Sequence, residues 1–289
     1  MKKRFIIFYI AAFCIVVGLS FAMPASSAIL FYEDFEDALD FDPPRDWVKE
    51  GKHGSQGLTT EQVRAGSSAY KFSLTRYDSG DFREQITLHN GFNNGSLYFT
   101  IGNEYWIGYS LFLADGYHSP TVPGGWVLHQ EFHPVADACD EGIRHAIFHH
   151  RTKDGNWTSW LQWTSLHRTV APKVGIFGNY YTYDPFSTGQ WVDFVINVKW
   201  SYEAEGVFKI WKNGVLITDR NGPNCFNDDT GPYLMLGIYG RIDQDQTMTI
   251  YCDELRIGDS NSSYSEVAPG GTVKPLPPMV YPPEKIIDK

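Results

Sequence analysis

Cations are scarce in this sequence. There are 24 Lys and Arg against 34 Asp and Glu, a formal charge of −10. That balance argues against a partner gripped through its phosphates, so no nucleic acid is expected. An acidic polysaccharide stays open, because a local basic cleft can sit on an acidic protein. Cysteine is scarce too, with four in 289 residues. Cys14 lies in the apolar N-terminal run, which leaves Cys139, Cys225 and Cys252, an odd number. Cys139 (in DACDEG) and Cys225 (in GPNCFNDD) sit in loop-like sequence, where an exported protein can join them or leave them free. Cys252 sits in a strand and reads as a buried thiol. Also missing are a long amphipathic helical pattern, an internal repeat, a serine nucleophile elbow, a phosphate loop and a dinucleotide glycine pattern.

Long apolar runs are absent everywhere but the N-terminus. There Lys2, Lys3 and Arg4 precede a mostly apolar stretch from Phe5 to Ala22. Small residues at Ser26 and Ala28 fit a signal-peptidase site, so residues 1–28 read as a signal peptide and maturation is expected near Ile29. The alternative is an uncleaved anchor of marginal length. Cleavage implies a secreted or periplasmic protein with no membrane attachment.

What is present is β-sequence. Aromatic residues make up 16% of the chain. Short apolar or alternating runs are separated by Gly, Asn, Asp and Pro, as in Tyr105–Leu113, Trp126–His133, Trp157–Trp163, Trp191–Trp200 and Tyr233–Tyr239. Asn213-Gly214 and Asp154-Gly155 are hairpin signals. In VDFVINVKW, Phe194, Ile196, Val198 and Trp200 fall on a core face, while Asp193, Asn197 and Lys199 fall outside. The expected fold is all-β: a single antiparallel jelly-roll sandwich of the concanavalin-like kind over residues 29–267. A Pro-rich, non-periodic tail, 268–289, is expected to be extended or disordered. A monomer is expected.

The titratable residues cluster on a few strands. Alternation puts Val127, His129, Glu131 and His133 on one face of WVLHQEFH, and Trp126, Leu128, Gln130 and Phe132 on the other unless a bulge intervenes. Arg83, Gln85 and Thr87 share a face, as do Tyr233, Met235, Gly237, Tyr239 and Arg241. His145, His149 and His150 form a second cluster. On a strand, positions i and i+4 lie about 13 Å apart, which argues against zinc there, though His149 and Arg151 share a face that can reach a groove. Each feature has a plain alternative: solvated surface histidines and arginines, or core tyrosines.

In order along the chain, FYEDFED, Arg83-Glu84-Gln85, EYWIGYSLFL, the Gln130 region, GQWVDFVINVKWSYEAEGVFKIWKNG, GPYLMLGIYGR and YCDELRIG resemble a polysaccharide lyase of the heparin lyase/glucuronan lyase type. The likeness runs from about Phe31 to Gly258 and extends, more distantly, to jelly-roll alginate lyases. In those lyases the sites look like Arg-x-Glu, Gln-x-His and Tyr-x-Lys-x-Gly-x-Tyr-x-Gln. Here Arg83, Gln130, Tyr233, Gly237 and Tyr239 match. Gln85, Phe132, Met235 and Arg241 depart from the pattern, so His133 or His129 must replace the missing histidine.

The resemblance implies cleavage of an acidic polysaccharide at a uronate by β-elimination. Tyr239 would be the acid or combined acid/base, and His133 or His129 the base or carboxylate partner. Arg83 and Gln130 would neutralise the carboxylate. Gln85, Asn197, Lys199 and Arg241 would hold neighbouring sugars. Asp34, Glu36 and Asp253 resemble jelly-roll ends clipped by a structural calcium ion, the alternative being acidic strand ends in water. No organic cofactor is implied. Two rivals remain. A glycoside hydrolase needs a second carboxylate that the Glu131 strand does not supply. A carbohydrate-binding protein would bind the polymer and release no product.

Overall fold

The computed structural model describes residues 29–39, 41, 46–51, 54–76, 82–88, 98–138, 140, 145–167, 175–270 and 284–287. In chain order these form β1 (Ile29–Glu33), β2 (Trp47–Gly51), β3 (Gly54–Thr59), β4 (Ala69–Thr75), β5 (Arg83–Leu88), β6 (Glu104–Leu113), β7 (Trp126–His133) and β8 (Phe148–Lys153). They continue with β9 (Asn156–Trp163), β10 (Phe177–Pro185), β11 (Trp191–Lys199), β12 (Val207–Lys212), β13 (Val215–Asn221), β14 (Tyr233–Arg241) and β15 (Thr247–Gly258). A one-turn helix, α1 (Tyr264–Val267), and β16 (Glu284–Ile287) follow.

Two sheets stack face to face. The first runs β13-β12-β11-β6-β15-β4-β3, with β1 also on β15; the second runs β16-β10-β9-β8-β7-β14-β5-β2. Every pairing between these strands is antiparallel. This is the expected jelly-roll sandwich. The expected turns are present: Asn213 and Gly214 both have positive φ between β12 and β13, and Asp154 and Gly155 do so between β8 and β9. Such a pair matches the twist of the strands it joins.

The core lies between the sheets. Phe194, Ile196 and Val198 of β11 point into it, with Trp200, Phe132, Phe148 and Phe208 packed nearby. Each fully buried side chain of this size contributes about 1.5–3 kcal/mol. The outer face of the first sheet is covered in part by α1, whose Tyr264 and Val267 pack on Val195 and Trp211. Gly108 makes that approach possible, since a Cβ there would sit 1.9 Å from the carbonyl oxygen of Val267.

Two parts of the tail, residues 268–270 and 284–287, are described. Ala268 is buried and its carbonyl accepts a hydrogen bond from Arg256 Nη1. Residues 284–287 form β16, which pairs with β10 from Tyr180↔Glu284 to Phe177↔Ile287. Pro-rich sequence before it gives no periodic signal, yet the unpaired edge of β10 supplies a template for a short strand. Residues 1–28, read above as a signal peptide, and Cys139 lie outside the described residues. Cys225 and Cys252 are both buried free thiols. Among the described residues no helix is long and apolar enough to cross a membrane.

Candidate active site

The site is set by a bulge on β7. Opposite β8 the register passes from Leu128↔Arg151 to Gln130↔His150, so His129 is an extra residue on β7. Alternation changes phase there. Val127 and Phe132 point into the core, and so do the two consecutive residues His129 and Gln130. Trp126, Leu128, Glu131 and His133 point outward. On β14, Gly237 lies opposite Gln85 with φ +134°, and a Cβ there would meet the Glu84 carbonyl oxygen at 2.3 Å. Only glycine fits that conformation and that approach.

The outward residues line a cleft of about 450 Å³ on the outer face of the second sheet. One row crosses adjacent strands as Arg151, Leu128, Tyr239 and Arg83. The next runs Tyr180, Trp160, His149, Glu131 and Met235. His133 faces Tyr233 in a third row, with ring centres 5.4 Å apart. The guanidinium of Arg83 lies 4.5 Å over the Tyr239 ring, and Trp126 meets that ring edge-on at 5.3 Å.

The electrostatics of the floor are specific. Arg83 Nη1 donates to Glu50 at 2.5 Å, and Thr87 donates to the other oxygen of the same carboxylate. Gln85 Nε2 donates to Glu131 at 2.9 Å. Burial pushes the Glu131 carboxyl up from its ordinary value, against the Gln85 bond and the charges of His133 and Arg83. Burial thus disfavours the charged form that would repel an acidic ligand. His133 Nδ1 lies 2.9 Å from the Pro134 carbonyl oxygen, which can only accept. Nδ1 is therefore the nitrogen that donates, which leaves Nε2 to carry the lone pair of the base form. Burial, and next the charge of Arg151, hold His149 well below the ordinary imidazole value.

A family model described as polysaccharide lyase matches residues 43–256. The chain belongs to the polysaccharide lyase family. Among solved structures, this lyase is similar to an endo-β-1,4-glucuronan lyase from the fungus Trichoderma reesei. The two are 18% identical, the match covers 85% of this chain and 100% of that one, and the TM-score is 0.65. At that identity the likeness shows the fold. Weaker similarities, which carry no argument, are to cellulose induced protein Cip1 (13% identity, 78% of this chain and 96% of that one, TM-score 0.49) and to an alginate lyase from Corynebacterium sp. (12% identity, 65% and 76%, TM-score 0.41). No curated protein sequence matches the chain.

In the lyase, the cleft brings together Arg83, His133 and Tyr239, with Gln85 bonded beneath them to Glu131. Other expectations need correction. His129 and Gln130 are not in the cleft. His129 Nε2 lies 3.1 Å from the Tyr117 hydroxyl and 3.2 Å from Thr152 Oγ1, and burial lowers its pKa to about 3. Gln130 accepts from the Tyr109 hydroxyl in the core at 3.4 Å. Asn197 and Lys199 lie on the other sheet, because β11 pairs with β6 and β12. Asn197 Nδ2 there donates to Glu104, and Lys199 lines a separate hollow with Glu104 and Asp259. Arg241 is exposed at the end of β14, opposite Trp126 and outside the cleft lining.

Asp34, Glu36 and Asp253 do not form a calcium cage. Asp253 accepts backbone N–H bonds from Arg64, Ala65 and Glu254, and burial still pushes its pKa up to about 6. Glu36 accepts from Ser67 N, Ser67 Oγ and Ser68 N, and Asp34 from Glu36 N. Asp253 and Glu36 thus fasten the 64–68 loop through protein donors, and the three carboxylates are not among the described groups whose ligand atoms lie close enough to share a cation.

The cleft also contains residues to which the sequence assigns no role. Glu131, His149, Arg151 and Trp160 line it. The signal for His149 and Arg151 was their common face on β8, which the structure turns into the cleft wall.

Proposed function

We propose that this lyase cleaves a uronic-acid-containing polysaccharide by β-elimination in the cleft of the second sheet. The observation that carries the reading is the convergence of a phenol (Tyr239), an imidazole with a free Nε2 (His133) and a guanidinium (Arg83) on one lining. Arg83 keeps N–H donors beyond the one given to Glu50, and these pair with the carboxylate of the sugar being cleaved. Neutralising that carboxylate makes the C5 proton removable and stabilises the enolate that forms. His133 Nε2 takes the C5 proton, and the C–H electron pair becomes the C4=C5 double bond. The C4–O4 bond breaks, and O4 takes the proton of Tyr239. The products are an unsaturated uronate and a new reducing end. Proton return from His133 to the phenolate restores the site.

The precedent of a glucuronan lyase on this fold makes glucuronan the first polymer to try. The charged leader and apolar run of residues 1–28 support export to meet such a polymer outside the cell. The test is to incubate the protein with a panel of acidic polysaccharides and follow ultraviolet absorbance of the unsaturated uronate. Absorbance growing with new reducing ends supports the proposal. Reducing ends without absorbance would mean hydrolysis, and binding without either would mean a non-catalytic module.

A further inference from the structure

Arg151 is a buried cation without a counter-ion among the described residues. It is only 8% exposed and lines the cleft. Its Nε donates to Thr158 Oγ1 at 3.2 Å, and its guanidinium lies 5.0 Å over the Tyr180 ring. It makes no ion pair among the described residues, and the nearby Asp154 is paired with Lys153. Burial lowers its pKa, the mark of a charge that has lost water without full compensation. Arg83, across the same cleft, has Glu50.

The register fixes how far apart these two cations stand. Arg151 is opposite Leu128, Leu128 opposite Tyr239, and Tyr239 opposite Arg83. At about 4.8 Å per strand, the Arg151 backbone is roughly 10 Å from that of Tyr239 and roughly 14 Å from that of Arg83. Arg83 is held on Tyr239 of the adjacent β14 and on Glu50 of β2, whereas Arg151 leans the other way along the row, onto Tyr180 of β10. One carboxylate cannot meet both.

We infer that Arg151 is a specificity-determining residue that pairs with the carboxylate of a second sugar, remote from the bond that breaks, so that the substrate is a polyuronate carrying acid groups on more than one sugar across the cleft. Trp160 lines the cleft beside that position and supplies an aromatic side chain of the kind a pyranose packs on. A carboxylate arriving there would supply the counter-charge that the fold withholds. The inference rests on the cleft being the cleavage site.

The test is Arg151→Gln, assayed on polyuronate. The expected result is a KM raised about tenfold or more with kcat within about threefold, since the contact is to a non-reacting sugar. The wild-type KM should rise with ionic strength and that of the variant much less. An unchanged KM with an unchanged salt response would overturn the inference while leaving the elimination reading intact. If R151Q does not fold, Arg151→Lys keeps the charge but loses the fork, and a wild-type KM in that variant overturns it equally. If the wild type releases no unsaturated product, the reading of the reaction fails. Calorimetric affinity for a uronate oligomer then decides: a tenfold loss in R151Q supports the Arg151 contact, and equal affinity removes it.

Discussion

On β8, His149 and His150 are neighbours that face opposite ways, and on β7 His129 and His133 do the same. The inner pair belongs to the core. His150 Nδ1 lies 2.6 Å from the Tyr109 hydroxyl, His129 is bonded to Tyr117 and Thr152, and burial lowers both pKa values to about 3. The outer pair lines the cleft beside Arg83, Arg151 and Tyr239. The same side chain is thus a packing element on one face of the sheet and a cleft-lining group on the other. The difference is made by strand phase and one bulge, not by the local density of histidine.

That contrast can be broken in order of expected effect. His133→Gln removes the proposed base and should lower kcat by about a hundredfold or more, with the fold intact by circular dichroism; a change under threefold would remove His133 from the reaction. Gly237→Ala forces a Cβ against the Glu84 carbonyl oxygen at a position with φ +134°. It should cost about 2 kcal/mol or more, read as a lowered midpoint of denaturant unfolding. The smallest effect is on pH dependence. A histidine with a folded pKa of about 3 and an unfolded value of 6.5 binds its proton mainly in the unfolded chain between those limits. Its stabilising effect is present above pH 6.5 and is lost as pH falls towards 3, at about 1.4 kcal/mol per pH unit. His150→Gln should remove one such increment from the slope of stability against pH, and an unchanged slope would mean that His150 titrates normally in the fold.

Much of the architecture was legible in the residues. The Asn-Gly and Asp-Gly turns, the inward Phe194, Ile196 and Val198, and the shared faces of Arg83 with Gln85 and of Tyr233 with Tyr239 all follow from period two and turn chemistry. The bulge was not legible, because His129 carries no glycine or other local mark, and the shift it makes turns His129 into the core and Trp126 and Leu128 out to the cleft. Sheet membership was not legible either. Asn197 and Lys199 alternate as expected but face away from the cleft, because β11 pairs in the other sheet. Asp34 and Glu36 follow β1 and Asp253 lies within β15; the backbone amides of the 64–68 loop that Glu36 and Asp253 bind are set by tertiary contact.

The most direct test of the account is the rate of unsaturated uronate formation by Tyr239→Phe on the polymer that the wild type degrades best. Removing the one proton donor assigned to the leaving oxygen should reduce that rate by two to four decades, roughly the worth of a positioned acid, without altering the melting profile. A variant that keeps a rate near wild type would contradict the assignment of this cleft to the elimination.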